Sequence, residues 1–447
     1  FLVILGIPFT WFLWVRIFRG AVRRRILWAA ISVPIIWAAA IWGDNVHEYG
    51  AVYWLYVNVA KIELTELPTT DHERIQPLNA IYSLAHEAMG ENDKPQTPDF
   101  VRIGEAYRWS LGIEPGYYVP RFLSGVRQVI SVSGTAPAPD FARERPVDVN
   151  FPTGENLLFG RNSFTATIRG FGVWRYLNYE PADVVYVTND AGEWVQVISL
   201  IRWRGILFPR PEFGGVQVIR QANETVLGDL RMLILGIGEW IPPDKIAEHP
   251  YLAGQNILSY QVSRYVADSF RFKGGFFGPL PLWHQADIRI PHLEEDANPQ
   301  PFTVYFDIPG RAGGLYHYFG LEPLDEDKQG LSMSLFIPAD GSGPVYYYDH
   351  SGRGEVLFGV SAASPKVREA RKNYDWSANR PVEHRPVIKR IDGEIHFFWL
   401  TTVVTLKTQG EGDKHFIAGA IPELALIDAS HNVLMWVDSS HPETWIA

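Results

Sequence analysis

The sequence predicts a membrane-anchored α+β protein: a two-helix transmembrane hairpin, then a large extracytoplasmic region of mainly antiparallel β-sheet with a few packed helices. Three observations carry this. Two uncharged apolar runs, "FLVILGIPFTWFLWV" (1–15) and "ILWAAISVPIIWAAAIW" (26–42), flank a stretch with five arginines. Thirty-nine Gly, 32 Pro and 14% aromatics describe a chain of many short strands carrying flat side chains. Asp392-Gly393 between two apolar runs is the strongest short hairpin signal in the chain.

The 26–42 run has 17 residues. At ~1.5 Å per residue it spans ~26 Å, close to a hydrocarbon core of ~30 Å. The first run begins at Phe1, which is not a natural start, so further residues are expected upstream. Trp11, Trp14, Trp28 and Trp42 lie near the run ends, as in an interfacial aromatic belt, and Pro8 and Pro34 are tolerable in membrane helices. Arg16, Arg19, Arg23, Arg24 and Arg25 form the short connection, which the positive-inside rule places in the cytoplasm, where it can touch anionic headgroups. Both hairpin ends then face outward, and everything after Gly43 is expected in the periplasm or outside the cell, beyond an inner membrane. A signal peptide fits less well, because an apolar run precedes the basic segment.

The net charge is −10, and residues 1–43 contribute five positive charges and no acid, so residues 44–447 carry 35 basic against 50 acidic groups, or −15. That body is a poor partner for nucleic acid. Zero Cys excludes disulfides, thiolate nucleophiles and iron–sulfur ligation. A length of 447 residues accommodates two or three cores. The expected divisions are the hairpin (1–43), a helical or mixed membrane-proximal segment (44–132), a linker or long loop (133–157), an α+β domain (158–310) and a β-rich domain (311–447).

Within these, 51–64 reads as a strand or as chain along the membrane surface. The stretch 69–90 predicts an amphipathic helix capped by Thr70 or Asp71, with Ile75, Leu78, Ile81, Tyr82, Leu84, Ala85 and Ala88 on one stripe and Gly90 at its end. Residues 98–113 predict a second short helix. Residues 133–156 lose periodicity and gain Pro and Gly. "DVVYVTNDAGEWVQVISLIRW" predicts a hairpin, and 252–272 predict a helix with Leu258, Val262, Val266 and Phe270 at i, i+4 spacing. In the last third, 331–350 predict strand–loop–strand, 387–407 and 421–440 predict two neighbouring hairpins of one sheet, and 364–376 a helix capped by Ser364 with Pro365 in its first turn.

Candidate chemistry is sparse. Asp325 and Asp327 open a calcium-loop pattern, but its twelfth position is Phe336 where a bidentate Glu is needed. The His-containing groups, Asp71/His72/Glu73, His284 with His292, His317 and Asp349/His350, lack a helical i, i+4 metal pair. Glu294, Glu295 and Asp296 are acidic but adjacent, whereas glycoside cleavage needs carboxylates facing across a cleft. "GVSAAS" lacks the second Gly of a nucleophile elbow, and "GRAGGLYHYFG" and "DGSGPV" lack the Lys-Ser/Thr of a phosphate loop. Asn223-Glu224-Thr225 is a glycosylation sequon. Phe276, Phe277 and Trp283 in "FFGPLPLW", with Tyr346, Tyr347 and Tyr348 on one strand, are candidate partner surfaces.

The expectation is thus a non-enzymatic, membrane-anchored scaffold or interaction subunit of an envelope complex, needing no cofactor. Its partners would be membrane lipids and other membrane or envelope proteins, a second copy among them. One alternative is an envelope glycan- or lipid-processing enzyme using Asp and Glu carboxylates. Another is an accessory subunit of a transporter or channel. A deep cleft of converging acids would favour the enzyme, and a broad apolar patch the scaffold.

Overall fold

Alternating apolar residues build the sheets that order this chain. The computed structural model describes residues 48–89, 92–136, 146–171, 178–205, 209–222, 234–279, 288–291, 300–325, 330–408, 415–417, 423–431 and 433–437. It is a β-rich α+β fold of four sheets and few helices. The expected hairpin, with its arginines and Trp11, Trp14, Trp28 and Trp42, lies outside the described residues. Among the described residues no helix is long and apolar enough to cross a membrane.

The first sheet contains Asp93–Pro95, Asp99–Ile103, Ala106–Pro115, Val126–Ser133 and Val147–Phe151, all antiparallel. The second orders Glu239–Ile241, Arg210–Arg220, Trp194–Arg204 and Tyr179–Thr188, also antiparallel. Val126, Val129, Val149 and Phe151 of the first sheet pack on Val184, Tyr186, Ile198 and Ile219 of the second. The opposite face of the second sheet buries Val185, Val187, Val195, Val197, Val216 and Val218. Its strands are therefore apolar on both faces, not on one.

The third sheet runs Lys61–Glu63, Val345–Asp349, Met333–Pro338, Gly314–Pro323 and Ile288–Arg289, with Phe302–Phe306 also paired to 314–323. The 61–63 and 345–349 strands are parallel. Phe302, Phe306, Tyr318 and Phe336 on one face meet Ile388, Phe397, Trp399 and Ile427 of the fourth sheet. The fourth sheet comprises Asn379–Ile391, Glu394–Thr408, Glu423–Asp428 and Leu434–Val437, with His415–Ile417 paired to 394–408. The other face of the third sheet packs Phe319, Leu321 and Leu335 against Leu55 and against Val262, Val266 and Phe270. A helical layer, the third sheet and the fourth sheet thus stack in order.

Several expected elements differ. Residues 98–113 form two strands joined at Gly104, φ +59°, and Tyr107, Trp109, Leu111 and Ile113 line one face at period two. The helix expected over 69–90 spans Leu78–Ala88 and does not reach back to Thr70. Pro77 has no N–H to donate and holds the preceding residue extended, and Thr70 instead donates its backbone N–H to Ile388 O at 2.8 Å. Residues 48–58 are helical, with Ala51, Val52 and Leu55 buried, and the strand Lys61–Glu63 follows. The 252–272 region folds as a helix only over Tyr260–Ser269, capped by Ser259, with a 3₁₀ turn after it. The helix at 364–376 spans Ala363–Ala370, and the Ser364 hydroxyl bonds His384 Nε2 at 2.9 Å rather than capping. The 133–156 stretch contains the strand Val147–Phe151, which pairs with Val126–Ser133 in one sheet.

One buried ionic cluster ties residues 74–78 to the fourth sheet. Glu383 accepts from Arg74 at 2.8 Å, from Arg385 at 2.6 Å and from the Leu78 backbone N–H at 2.6 Å. Glu383 stands at φ +51°, where the 379–391 strand slips register between Val382 and Arg385. A bulge thus aims an acid inward as the N-terminal anchor of a helix about 300 residues away.

Candidate functional site

The first two sheets meet the 260–269 helix at a recess to which four separate elements each contribute a carboxylate. Asp99 opens the 99–103 strand, Glu114 ends the 106–115 strand, Glu155 follows the 147–151 strand, and Asp183 lies in the 179–188 strand. Pairing of that last strand slips between Pro181 and Val184, so Asp183 sits in a bulge that frees its side chain from the ladder. Asp99, Glu155 and Asp183 are half-buried as whole residues, and Glu114 is buried.

Glu114 holds the turn that carries Glu155. Its carboxylate accepts the Asn156 backbone N–H at 3.1–3.2 Å and the Gln96 side-chain amide. Behind it the polar chain continues, with Gln196 Nε2 donating to Tyr186 Oη at 2.9 Å and Thr153 Oγ1 donating to Gln196 Oε1 at 2.7 Å. The Ser259 hydroxyl and the Tyr260 backbone N–H act on Asp183 by opposing the rise that burial causes. Ser259 also accepts from Gln261 N at 3.3 Å as the cap of the helix. The positive end of that helix therefore faces Asp183.

Beside these acids the Tyr260 hydroxyl meets Thr303 Oγ1 at 3.1 Å and Asn256 Nδ2 at 3.3 Å. His317 Nε2 lies 2.8 Å from Asn256 Oδ1, and Ser263 Oγ lies 2.5 Å from His317 Nδ1. An oxygen acceptor at Asn256 puts the His317 proton on Nε2 and leaves Nδ1 to accept from Ser263. Burial pushes His317 down to about 3, so the imidazole is neutral and serves as a fixed link.

The electrostatics of the recess are unusual. Burial, then Asp183 and Glu155, raises Asp99 well above the ordinary carboxylate range. Burial, then Glu114 and Asp183, pushes Glu155 up to about 7, with Lys94 opposing. Asp183 is raised by burial and held back by the Ser259 and Tyr260 donors. Glu114 is raised by burial and held back by its hydrogen bonds. Burial, then Asp99, also pushes Tyr260 up to about 12. No ion pair joins any of the four acids to a described Lys or Arg. Gathering like charges without counterions costs stability. The result is a set of neighbouring carboxyls all raised above their ordinary range, with Glu155 near neutrality, where a group can both hold and give up a proton.

A cavity of about 760 Å³ lies elsewhere, lined by the two Gly-rich stretches that the sequence left as turns, with Arg102, Asn189, Tyr251, Arg311, Asp340 and Ser342. Its two arginines are held by neighbouring acceptors. Arg311 bonds Asp340 at 3.2 Å and Ser342 Oγ at 2.7 Å, and Arg102 donates to the carbonyls of Pro250 and Ala253.

The residues singled out in the sequence are placed as follows. Asp325 is exposed and Phe336 fully buried; Asp327 lies outside the described residues. So do Trp283, His284, His292, Glu294, Glu295, Asp296 and the 223–225 sequon. His72 packs on Tyr107 and Tyr305, Glu73 pairs with Lys389, and His350 is buried between Ser334 and Glu355. Asp349 caps the His350–Arg353 turn. Tyr346 packs beside the core between the third and fourth sheets, which buries Tyr348, and Tyr347 packs on the helical face. Phe276 and Phe277 are exposed. Among the described residues no three His, Asp or Glu side chains are placed to hold a metal ion.

The recess itself was not visible in the sequence, because its acids are scattered over 85 positions and only folding joins them. The one local trace is "EPADVV", where Pro and Asp interrupt an apolar strand as a bulge would. No protein-family model, curated protein or solved structure matches the chain.

Proposed function

We propose that the protein is a carboxylate-dependent enzyme of the cell envelope, held at the membrane by its 1–15 and 26–42 apolar runs and acting on a neutral, hydroxyl-rich substrate of the glycan class. The observation that carries this reading is the convergence of Asp99, Glu155 and Asp183 from separate elements, with no ion pair to a Lys or Arg among the described residues. Glu155, pushed up to about 7, is suited to donate a proton to a leaving oxygen. Asp183, beside the N-terminus of the 260–269 helix, is placed to activate water or stabilise positive charge. The field of the recess repels anionic substrates, which favours an uncharged one.

The test is release of new reducing ends from purified envelope polysaccharide by the full chain in detergent. Wild type should act with a pH profile whose alkaline limb falls near 7. Glu155→Gln and Asp183→Asn should each lose activity by about 10²–10⁴-fold, as expected when a general acid or base is removed. Activity unchanged in both variants would contradict the assignment.

A scaffold reading is favoured by one separate observation. Tyr117, Tyr118, Val119, Leu123 and Phe159 are all exposed, with Phe122 stacked on Phe159 at 4.8 Å. An apolar surface of this kind is suited to a protein partner. Co-purification of a partner lost on Phe159→Ser, together with no hydrolysis by wild type, would favour that reading over the enzyme.

A further inference from the structure

Two segments far apart in the chain make a single aromatic corner. The 48–58 helix carries Tyr49 and Tyr53, and both rings meet Phe276 edge-to-face, at 5.2 and 4.8 Å. The same two rings meet Phe272 at 4.7 and 5.3 Å, and the Tyr49 hydroxyl donates to the Phe276 carbonyl. One face of the helix is spent on the core through Ala51, Val52 and Leu55. What remains outward is apolar as well. Trp54 is 49% exposed, Val57 54% and Phe277 60%, with Phe276 and Ile62 exposed nearby.

We propose that this face, Trp54, Val57, Phe276 and Phe277, rests in the headgroup region of a lipid bilayer. The chain's own path argues for that occupant. Five residues, 43–47, separate the uncharged run 26–42 from the described helical residues 48–58. Five residues reach at most ~18 Å, so the corner is tethered close to wherever that run resides. Because Ala51, Val52 and Leu55 of the described helical residues 48–58 are buried in the folded body, that stretch is suited to lie at a bilayer surface and not across it. Tyr and Trp, with an apolar ring and a polar tip, are the side chains that favour this depth. Lys61, whose ammonium sits 4.1 Å from the Tyr56 ring centroid, places a cation at the same corner. The proposal rests on the membrane reading of the 26–42 run and is independent of the carboxylate recess.

The absence of native Cys makes the test clean. Full-length Trp54→Cys, Phe277→Cys and Asp190→Cys would each carry one environment-sensitive fluorophore and be reconstituted into phosphatidylethanolamine/phosphatidylglycerol vesicles. Asp190 is exposed at the turn between the 179–188 and 194–204 strands. Lipids with a nitroxide near the headgroup should quench the 54 and 277 probes severalfold more than the 190 probe, while aqueous iodide should do the reverse. Equal quenching at all three sites, or iodide-accessible probes at 54 and 277, overturns the proposal. Probes shielded at 54 and 277 in a lipid-free dimer assign the face to a second copy and overturn it equally. Because the readout is position and not activity, failure here leaves the acid–base assignment standing.

Discussion

Glu383 shows how much one side chain can organise. It satisfies two guanidinium groups and the first N–H of a helix, with partners 309 and 305 residues away in sequence for Arg74 and Leu78. Arg385 also donates to Ile75 O at 3.1 Å and Thr402 Oγ1 at 2.8 Å, so the acid fixes a cation that itself ties three segments together. Removing the acid alone leaves two buried cations facing each other. Glu383→Ala is expected to destabilise by about 3–5 kcal/mol in denaturant titration, the loss typical of a broken buried ion pair. A loss below about 1 kcal/mol would mean that water reaches the cluster. Nothing local in "PVEHRPV" marks this role, because both partners come from tertiary structure. The same holds for the recess: Asp99, Glu155 and Asp183 each stand in ordinary surroundings along the chain, and only the fold makes them neighbours.

At the level of elements, the sequence was readable wherever a local rule sufficed. Asp392 and Gly393 stand at φ +50° and +87°, the left-handed pair that a two-residue hairpin requires, and Ile391 pairs with Glu394 across it. A Cβ on Gly393 would meet nothing within 4 Å, so replacing it tests backbone conformation alone. Gly393→Ala should cost about 1 kcal/mol, within the range for an L-residue held left-handed, read as a lowered unfolding midpoint. No change would mean that the turn can adopt another form. The 183–203 hairpin and the paired hairpins of the fourth sheet were legible for the same reason. The stretch 98–113 misled because Glu105 and Ala106 suit a helix, while the period-two run from Tyr107 to Ile113 packs against Ile81 and Ala85 and overrides that preference. The start of the Leu78–Ala88 helix misled because its N-terminal anchor is Glu383, not a neighbouring Thr or Asp.

For the whole molecule, a β-rich body supports an acidic recess at the junction of two sheets and a helix, and an aromatic corner formed by the 48–58 helical residues with Phe272 and Phe276. The recess has a thermodynamic signature. Glu155 in the fold is raised from the ordinary 4.5 to about 7, so its contribution to stability is fully present below about 4.5 and is lost as pH rises through about 7. Asp99 and Asp183, raised by burial as well, act in the same direction. Groups serving only the fold would be expected to stabilise it at neutral pH, whereas groups held for chemistry often do not. The most direct measurement is therefore the unfolding midpoint of wild type and Glu155→Gln at pH 5 and pH 8. A neutral amide removes the charge that the recess disfavours, so the variant should match wild type at pH 5 and exceed it at pH 8. A variant less stable than wild type at pH 8, or displaced equally at both values, would show that Glu155 is an ordinary structural acid and contradict the account.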